Sequence, residues 1–574
     1  MDFAGYSARG RALRPLAVVL LLISSSLLSP GQASPQNSDL TFRIRQLFEQ
    51  SDWQEIVDAI QPLPSIDVDL NYYYGSALAQ LGRWDEARKV LLSGRRLAPR
   101  DKRFPLELAG VAFKQRDYPE AAAWLRRGLR IDPSDAYAND FLGTVYFLQG
   151  NLEGALKYWN RVNKPQIESV KTEHPLQIRP ALLDRALTFA PASPLLLSEL
   201  LSSRARVEGL GVFVAPDFQL AAREDGKFDV ILNLQERNGW GSNVWDGLLS
   251  TFRGVGYETV YPQYFNLGRS AINLTSLARW DAQKRRLAAD VSGPLRQNPK
   301  WRYRLGIDLR NENWAIRNSF TGVAPVLGAL NLRREAAEAE ITSFDTSRWS
   351  WSAGMELSRR DYRSVNPGTV LTPQLLLQGT QLKQLAGTRY EVWRVPEHRL
   401  VISSSASAQL ARTWSQPARI FSKLQGSLLA RWFPKAEGDD YATQVQLRGG
   451  GTAGSAPFDE LYMLGLERDN DLYLRAHIGT RDGRKGSAPL GTHYFLANTE
   501  VDKNLYGNGL LTLKLSPFLD SGKIISPSPQ LGSQKWLWDT GLQAKLRVLG
   551  VGLTLTWGKD LRTGSSAFYF TSIR

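Results

Sequence analysis

The chain of 574 residues contains no cysteine, and its few histidines are scattered. The lack of cysteine excludes thiol catalysis, thiolate metal sites and disulfide bonds. No phosphate-binding loop, nucleophile elbow or metal-binding helix motif is present either. The histidines, which lack the close spacing of zinc ligands and are typical of solvated or packed side chains, are His174, His398, His477 and His493. These absences predict a protein that is not an enzyme and needs no cofactor or metal.

A long apolar run occurs only at the N-terminus. The stretch "PLAVVLLLISSSLL" follows three arginines and precedes the small residues Gly31 and Ala33. This order is typical of a secretory signal peptide, predicted here over residues 1–33, with an N-terminal anchor as the alternative. No later segment has eighteen consecutive apolar residues, so no helical membrane span is expected. The mature protein is expected to leave the cytoplasm.

Residues 34–163 contain a repeat with a spacing of 34 residues, which predicts tetratricopeptide repeats. Small residues fall at equivalent places in the paired helices, and prolines end the units. These positions are Gly75, Ala109 and Gly143, then Ala87, Ala121 and Ala155, then Pro99 and Pro133. Such an array forms a concave groove for peptides or protein segments. A rigid spacer or an oligomer contact is the alternative role.

Residues 164–236 predict a small α/β module in the order β-α-α-β-β. Its last segment, "FDVILNLQER", alternates apolar and polar residues after a turn at Asp225-Gly226. The order, the "LGVF" start of the second strand and the "DGKFDVILNLQE" finish resemble a POTRA (polypeptide-transport-associated) domain. The resemblance implies a periplasmic module whose sheet edge binds a client strand. An ordinary linker domain is the alternative.

Residues 237–574 have the pattern of antiparallel strands joined by polar turns. In "WRYRLGIDLR", residues 301–310, aromatic and aliphatic side chains alternate with arginine and aspartate. Charges on the face opposite the apolar one, and tryptophans near strand ends, favour a transmembrane barrel of about 16 strands over a soluble sandwich. The signal peptide then predicts the outer membrane, with the preceding domains in the periplasm.

The net charge of +15 is spread over alternate strand positions. No basic cluster is interleaved with aromatic residues, so a nucleic acid partner is not expected. A positively charged lumen, or contact with anionic lipid head groups, is the preferred interpretation.

The barrel segment resembles the BamA-like superfamily of POTRA-plus-barrel outer-membrane transporters. "SPFLDSGKI" contains the family's FxDxG wall motif as Phe518, Asp520 and Gly522, and "YFLANTEV" places Glu500 at an acidic position. The family's "RG(F/Y)" loop motif, preceded by valine or leucine, corresponds here to Leu474-Arg475-Ala476-His477, in which alanine and histidine are departures.

The resemblance implies that this loop folds back into the lumen as a plug, where Arg475 pairs with Asp520. An arginine in a dehydrated lumen needs an acidic partner with bidentate geometry, which an aspartate offers. Three glycines, which would let the loop turn sharply, are Gly479, Gly483 and Gly486. An extracellular loop with solvated charges is the alternative.

These features predict an outer-membrane protein that inserts or secretes client polypeptides. The expected partners are unfolded or partly folded clients bound by the repeat groove and the POTRA edge, outer-membrane lipid and accessory periplasmic proteins. The alternatives are a repeat-plus-barrel exporter of a polysaccharide or surface lipoprotein, and a passive porin-like pore.

Overall fold

The computed structural model describes residues 35–317, 324–415, 418–434, 440–507, 511–526, 528–533, 535–548 and 551–573. The predicted signal peptide, residues 1–33, lies outside the described residues. The chain divides into two compact units, one ending at Phe104 and one beginning at Pro105.

The first unit consists of helices that pack in antiparallel pairs. They are α1 (Pro35–Gln50), α2 (Trp53–Ile60), α3 (Val68–Gln80), α4 (Trp84–Leu97) and the first residues of α5 (Arg103–Lys114). The Asp67 side chain caps α3 by accepting a hydrogen bond from the Leu70 amide at 2.8 Å. Gly75 is needed where α3 meets α4, because a Cβ atom there would lie 2.6 Å from the Leu91 side chain.

The second unit begins with the rest of the helical array. After α5 come α6 (Tyr118–Ile131), α7 (Ala136–Leu148) and α8 (Leu152–Trp159). The side chains of Asp117, Asp135 and Asn151 cap these helices in turn. Helix α6 ends two residues before Pro133, as the repeat pattern predicts.

The close approach of α7 and α8 provides a stability test with an internal control. A Cβ atom at Gly143 would lie 2.3 Å from Trp159, whose side chain is buried, whereas one at Gly110 in α5 would meet nothing within 4 Å. We expect Gly143→Ala to destabilise the array by about 1–3 kcal/mol through overpacking. Gly110→Ala should instead stabilise it by about 0.5–1 kcal/mol by restricting the unfolded chain. Urea unfolding followed by far-ultraviolet circular dichroism measures both, and equal effects would contradict the close packing.

A small three-stranded sheet with two helices follows. Its elements are β1 (Ile167–Thr172), α9 (Pro180–Ala186), α10 (Leu197–Gly209), β2 (Phe213–Ala222) and β3 (Phe228–Glu236). The strand order is β1-β3-β2, with β1 parallel and β2 antiparallel to β3. The predicted β-α-α-β-β order is therefore present, and Val230, Leu232 and Leu234 of β3 are buried.

The remaining residues form helix α11 (Val244–Phe252) and a closed barrel. The strands are β4 (Thr259–Val260), β5 (Gln263–Leu267), β6 (Ile272–Trp280), β7 (Lys284–Leu295), β8 (Asn298–Arg317), β9 (Val326–Ser343), β10 (Trp349–Asn366), β11 (Gly379–Val395), β12 (Leu400–Trp414), β13 (Arg419–Trp432), β14 (Tyr441–Gly454), β15 (Tyr462–Met463), β16 (Thr480–Arg481), β17 (Arg484–Lys485), β18 (Leu490–Gly491), β19 (His493–Gly507), β20 (Leu511–Ile525), β21 (Leu537–Val548), β22 (Val551–Asp560) and β23 (Ser566–Ile573).

Within the described ranges, the barrel sheet has 18 strand segments, and β15 pairs with β18 in a separate two-stranded sheet. The predicted antiparallel barrel is confirmed. The 18 segments correspond to 15 wall strands, close to the predicted number of about 16, because three of the segments add no separate wall strand. The first wall strand is interrupted between β4 and β5, which both pair with β6. The two-residue strands β16 and β17 belong to a loop rather than to the wall.

The wall has an apolar outer face and a charged inner face. On β8, Leu305, Ile307 and Leu309 are 40–54% exposed. The alternate residue Arg304 forms ion pairs with Asp290 and Glu338 on the two neighbouring strands, at 2.9 and 3.1 Å. A soluble sandwich would bury its apolar face. The alternation seen in the sequence thus has the orientation that a membrane-spanning barrel requires.

One end of the barrel, here called the module rim, contacts the α/β module and the last repeat. Arg206 donates to the Asp345 carbonyl at 2.8 Å, and Asn273 donates to the Leu210 carbonyl at 2.9 Å. The Lys157 ammonium lies 2.5 Å from the Glu397 carboxylate in the turn between β11 and β12. The opposite end is called the far rim. No helix within the described ranges is long and apolar enough to cross a membrane.

Candidate functional site

Residues 455–492, which join β14 to β19 and are called the lumen loop, fold into the barrel. Their apolar side chains pack against the inner face of the wall, and Leu464 and Leu474 are fully buried. Leu474 clusters with Leu496 and Ile524, which lie on β19 and β20. The loop therefore occupies the lumen.

Arg475 is the centre of one attachment between the lumen loop and the wall. Its Nε and Nη2 atoms donate to the two carboxylate oxygens of Asp520 at 2.9 and 2.7 Å, a bidentate arrangement. Its Nη1 atom donates to Glu500 at 2.5 Å and to Gln543 at 3.0 Å. The guanidinium also lies 3.9 Å from the ring centroid of Phe518. The structure thus brings together four of the residues singled out in the sequence.

Asp520 is completely buried, and each of its oxygens has more than one donor. Besides the Arg475 side chain, it accepts hydrogen bonds from the Arg475 amide at 3.1 Å and from Asn498 at 2.8 Å. Burying a carboxylate is costly unless it is paired and hydrogen-bonded in this way. The conformation of the loop at Arg475 is therefore tied to the charge of Asp520.

The departure at His477 has a local explanation. The Ala476 amide donates to Asp539 at 2.6 Å, and the His477 Nδ1 atom lies 3.0 Å from the same carboxylate. The His477 Nε2 atom lies 3.9 Å from Asp560, and all three side chains are buried. Asp520, Asp539 and Asp560 are cross-strand neighbours on β20, β21 and β22. The loop thus contacts a row of three buried aspartates.

His477, Asp539 and Asp560 could in principle hold a metal ion, because their ligand atoms lie within 4.8 Å of one another. However, the two ring nitrogens face different carboxylates. Nδ1 is within hydrogen-bonding distance of Asp539, whereas Nε2, at 3.9 Å from Asp560, is too far for a hydrogen bond.

The glycines of the wall motif and of the lumen loop lie where a side chain would be crowded or where the backbone turns sharply. A Cβ atom at Gly522 would lie 3.1 Å from Leu464 of the lumen loop. Gly483 and Gly486 have φ values of 74° and 108°, in the region that favours glycine. Gly479 makes no such turn, and its constraint is packing, since a Cβ atom there would lie 3.1 Å from the Leu466 carbonyl oxygen.

A second attachment, at Glu460, was not predicted from the sequence. Its carboxylate lies 2.8 Å from Lys383, 3.3 Å from Arg360, 3.6 Å from Lys423 and 3.8 Å from Arg334. These cations lie on β9, β10, β11 and β13. One buried loop carboxylate is thus surrounded by basic side chains of four strands.

A third attachment involves Asp469. Its carboxylate lies 2.9 Å from Arg279 on β6, 2.6 Å from Arg286 on β7 and 3.3 Å from Lys485 of the loop itself. Lys485 in turn pairs with Glu312 on β8 at 2.7 Å. The lumen loop is therefore attached to three different sectors of the wall.

Apolar side chains cover the lumen at the far rim. Trp314 and Leu330 of the wall pack with Phe458 of the lumen loop. Val370 and Leu371, from the connection between β10 and β11, complete the cluster. Packed hydrocarbon thus fills part of the lumen near the far rim, in addition to the ion pairs.

Comparison with solved structures yields matches of low sequence identity. BamA from Haemophilus ducreyi lacking POTRA domains 1–3 is 11% identical, with a TM-score of 0.41 and coverage of 71% of this chain and 84% of that chain. CdiB from Escherichia coli is 12% identical, with a TM-score of 0.46 and coverage of 71% and 75%. CdiB from Acinetobacter baumannii is 13% identical, with a TM-score of 0.40 and coverage of 71% and 73%.

A comparison with curated proteins gives no match. The tetratricopeptide repeat family model matches residues 72–136. The helix pairs in this range are therefore tetratricopeptide repeats, as the spacing of 34 residues predicts.

Proposed function

We propose that this protein is an outer-membrane transporter that inserts client polypeptides into the membrane or passes them across it. The observation that carries the proposal is the lumen loop, which Arg475 joins to the buried Asp520 inside a barrel with an apolar outer face. A buried polar network holds its members firmly only while every partner is satisfied, so the position of the loop depends on this ion pair. That property fits a conduit that stays closed until a client arrives.

The domains receive their roles from the same proposal. Residues 1–33 are the signal peptide, 34–163 the repeat domain, 164–236 a POTRA-like domain and 237–574 the barrel. The repeats and the module lie in the periplasm and receive the unfolded client. The strand order β1-β3-β2 supports this role, because β1 and β2 are the outer strands of the sheet and an extended segment can pair with such an edge.

The test is depletion of the protein followed by quantitative proteomics of the outer membrane and cell surface. We expect a several-fold loss of a defined set of barrel or surface proteins, restored by the wild-type gene. Two variant genes form a matched pair. The gene with Arg475→Gln should fail to restore the lost proteins. The gene with Arg333→Gln should restore them, since Arg333 pairs with Glu335 in an exposed position.

Other results would redirect the assignment. An unchanged proteome with a lost surface glycan would indicate a glycan exporter, and a loss confined to surface lipoproteins would indicate a lipoprotein exporter. An unchanged proteome and surface would leave a passive pore, which the occupied lumen and the far-rim apolar cluster disfavour. None of these results is compatible with a general client transporter.

A further inference from the structure

The chain does not enter the barrel wall where it leaves the α/β module. Gly239 forms two backbone hydrogen bonds with Phe265, near the module rim, at 3.0 and 2.7 Å. The Glu258 carbonyl accepts from the Trp280 amide at 3.0 Å, at the end of β6 toward the far rim. Residues 240–258 therefore run along the wall from the module rim to the far rim before β4 begins. The first wall strand then runs back toward the module rim.

The last strand, β23, runs in the same direction as β4 and β5. It pairs antiparallel with β22 and lies next to β4 in the barrel order. In a wall that is antiparallel throughout, one further strand of opposite direction would lie between β23 and the first wall strand. The segment containing α11 runs in that opposite direction. At this seam the Tyr257 hydroxyl donates to the Phe570 carbonyl at 3.0 Å, and their ring centroids are 5.2 Å apart.

Helix α11 exposes its large apolar side chains and buries its small residues, which is the reverse of a helix on the surface of a water-soluble protein. Gly247 and Ser250 are buried, while large apolar side chains are outside. The exposed residues are Val244 (75%), Trp245 (73%), Phe252 (53%), Leu248 (45%) and Leu249 (41%). A contiguous apolar face of this kind marks an interaction surface.

The polar groups of α11 are bonded within the helix and its N-terminal turn. Asp246 accepts from the amide and hydroxyl of Ser242, both at 2.9 Å, and Asn243 caps the helix through the Asp246 amide at 2.8 Å. The Ser250 hydroxyl donates to the Asp246 carbonyl at 2.6 Å. The outer face thus presents hydrocarbon and an indole ring, which suits a solvent that cannot hydrogen-bond.

The apolar surface continues from α11 onto the strands on both sides. Phe568 and Phe570 of β23 are 72% and 51% exposed, and Leu274 of β6 is 43% exposed. Trp240, which precedes the helix, packs edge-on against Tyr264 of β5 with ring centroids 5.9 Å apart. The face of α11 is therefore part of the same outward surface as the wall.

We infer that α11 is a lipid-facing helix of the barrel wall, whose outer face contacts the acyl chains of membrane lipid beside the seam. The inference rests on the proposed function, because it requires the barrel to be in a membrane. A helix is suited to this place because its backbone hydrogen bonds are internal, so its own backbone groups need no partner from the lipid.

The absence of cysteine makes the test direct, since Leu248→Cys in the full chain creates one labelling site. The labelled protein is reconstituted in phosphatidylcholine vesicles, and a fluorophore at 248 is quenched either by lipid with an acyl-chain nitroxide or by aqueous iodide. Ile307→Cys supplies an outward wall position, and Ser405→Cys supplies an inward one, whose hydroxyl lies 2.8 Å from that of Ser427.

We expect lipid quenching at 248 to equal that at 307 and to exceed that at 405 several-fold. Iodide quenching at 248, with lipid quenching retained at 307, would overturn the inference and leave the membrane barrel intact. Loss of lipid quenching at 307 as well would overturn the proposed membrane location, and the inference with it. Val244→Cys repeats the measurement one turn away, and heat-modifiable gel mobility verifies that each variant is folded.

Discussion

Replacing Asp520 with asparagine is expected to release the lumen loop and to abolish the supply of client proteins to the outer membrane. The change keeps the shape of the side chain but removes the charge that both donor groups of Arg475 contact at 2.9 and 2.7 Å. Breaking a buried pair by removing one partner costs about 3–5 kcal/mol. Two measurements report the release of the loop. Single-channel conductance in planar bilayers is expected to rise, and complementation of the depleted strain is expected to fail.

The control is Glu335→Gln, which weakens an ion pair between exposed side chains on the same strand, β9. Such pairs contribute about 0–1 kcal/mol, so conductance and complementation should stay at wild-type levels. A wild-type result for Asp520→Asn would show that the ion pair is not what holds the loop. A defect of equal size in both variants would point to general misfolding of the barrel.

Exchanging Arg475 and Asp520 does not test their ion pair in isolation, because both residues have further partners. Arg475 also donates to Glu500 at 2.5 Å, so an aspartate at 475 would face a second carboxylate. The Arg475 amide also donates to Asp520 at 3.1 Å, and an arginine at 520 could not accept that bond. A double-mutant cycle of Arg475→Gln and Asp520→Asn avoids both problems. For contacting residues the coupling is about 0.5–3 kcal/mol.

The features that sequence patterns predicted are those with local or motif-level signals. The repeat of small residues specifies helix pairs within one stretch of chain, and period-two alternation specifies which face of β8 is apolar. Arg475 and Asp520 stand 45 positions apart, and only the resemblance to a known motif pair connected them. Composition and periodicity alone would have left both as charged residues near strands.

The features that were missed depend on strand register and on chain direction. Arg360, Lys383 and Lys423 become neighbours because β10, β11 and β13 place them at one height of the wall, which alternation cannot specify. The apolar segment at Val244–Phe252 looked like part of a strand-rich region, yet it is helical. The alternation of apolar and polar residues does not indicate the length of this helix. It also does not indicate that the strand after the helix starts at the far rim.

Neutralising Glu460 is expected to have the second large effect, because this carboxylate is the common partner of several buried cations. Glu460→Gln would leave Lys383, Arg360 and Arg334 near each other with less compensating charge. The cost for breaking a buried network of this kind is about 3–5 kcal/mol. The first part of the lumen loop should detach from β9–β13, while Arg475 keeps its own attachment to Asp520.

That separation makes the outcome specific. The midpoint temperature of heat-modifiable gel mobility should fall, and conductance should rise by a smaller step than in Asp520→Asn if the two attachments hold different parts of the loop. Combining Glu460→Gln with Asp520→Asn should raise the conductance above that of either single variant, since each change releases its own part of the loop. A double variant no more conductive than Asp520→Asn alone would instead mean that the loop leaves the lumen as one unit. In that case the attachment at Arg475 would control all of it, and Glu460 would only position the closed state.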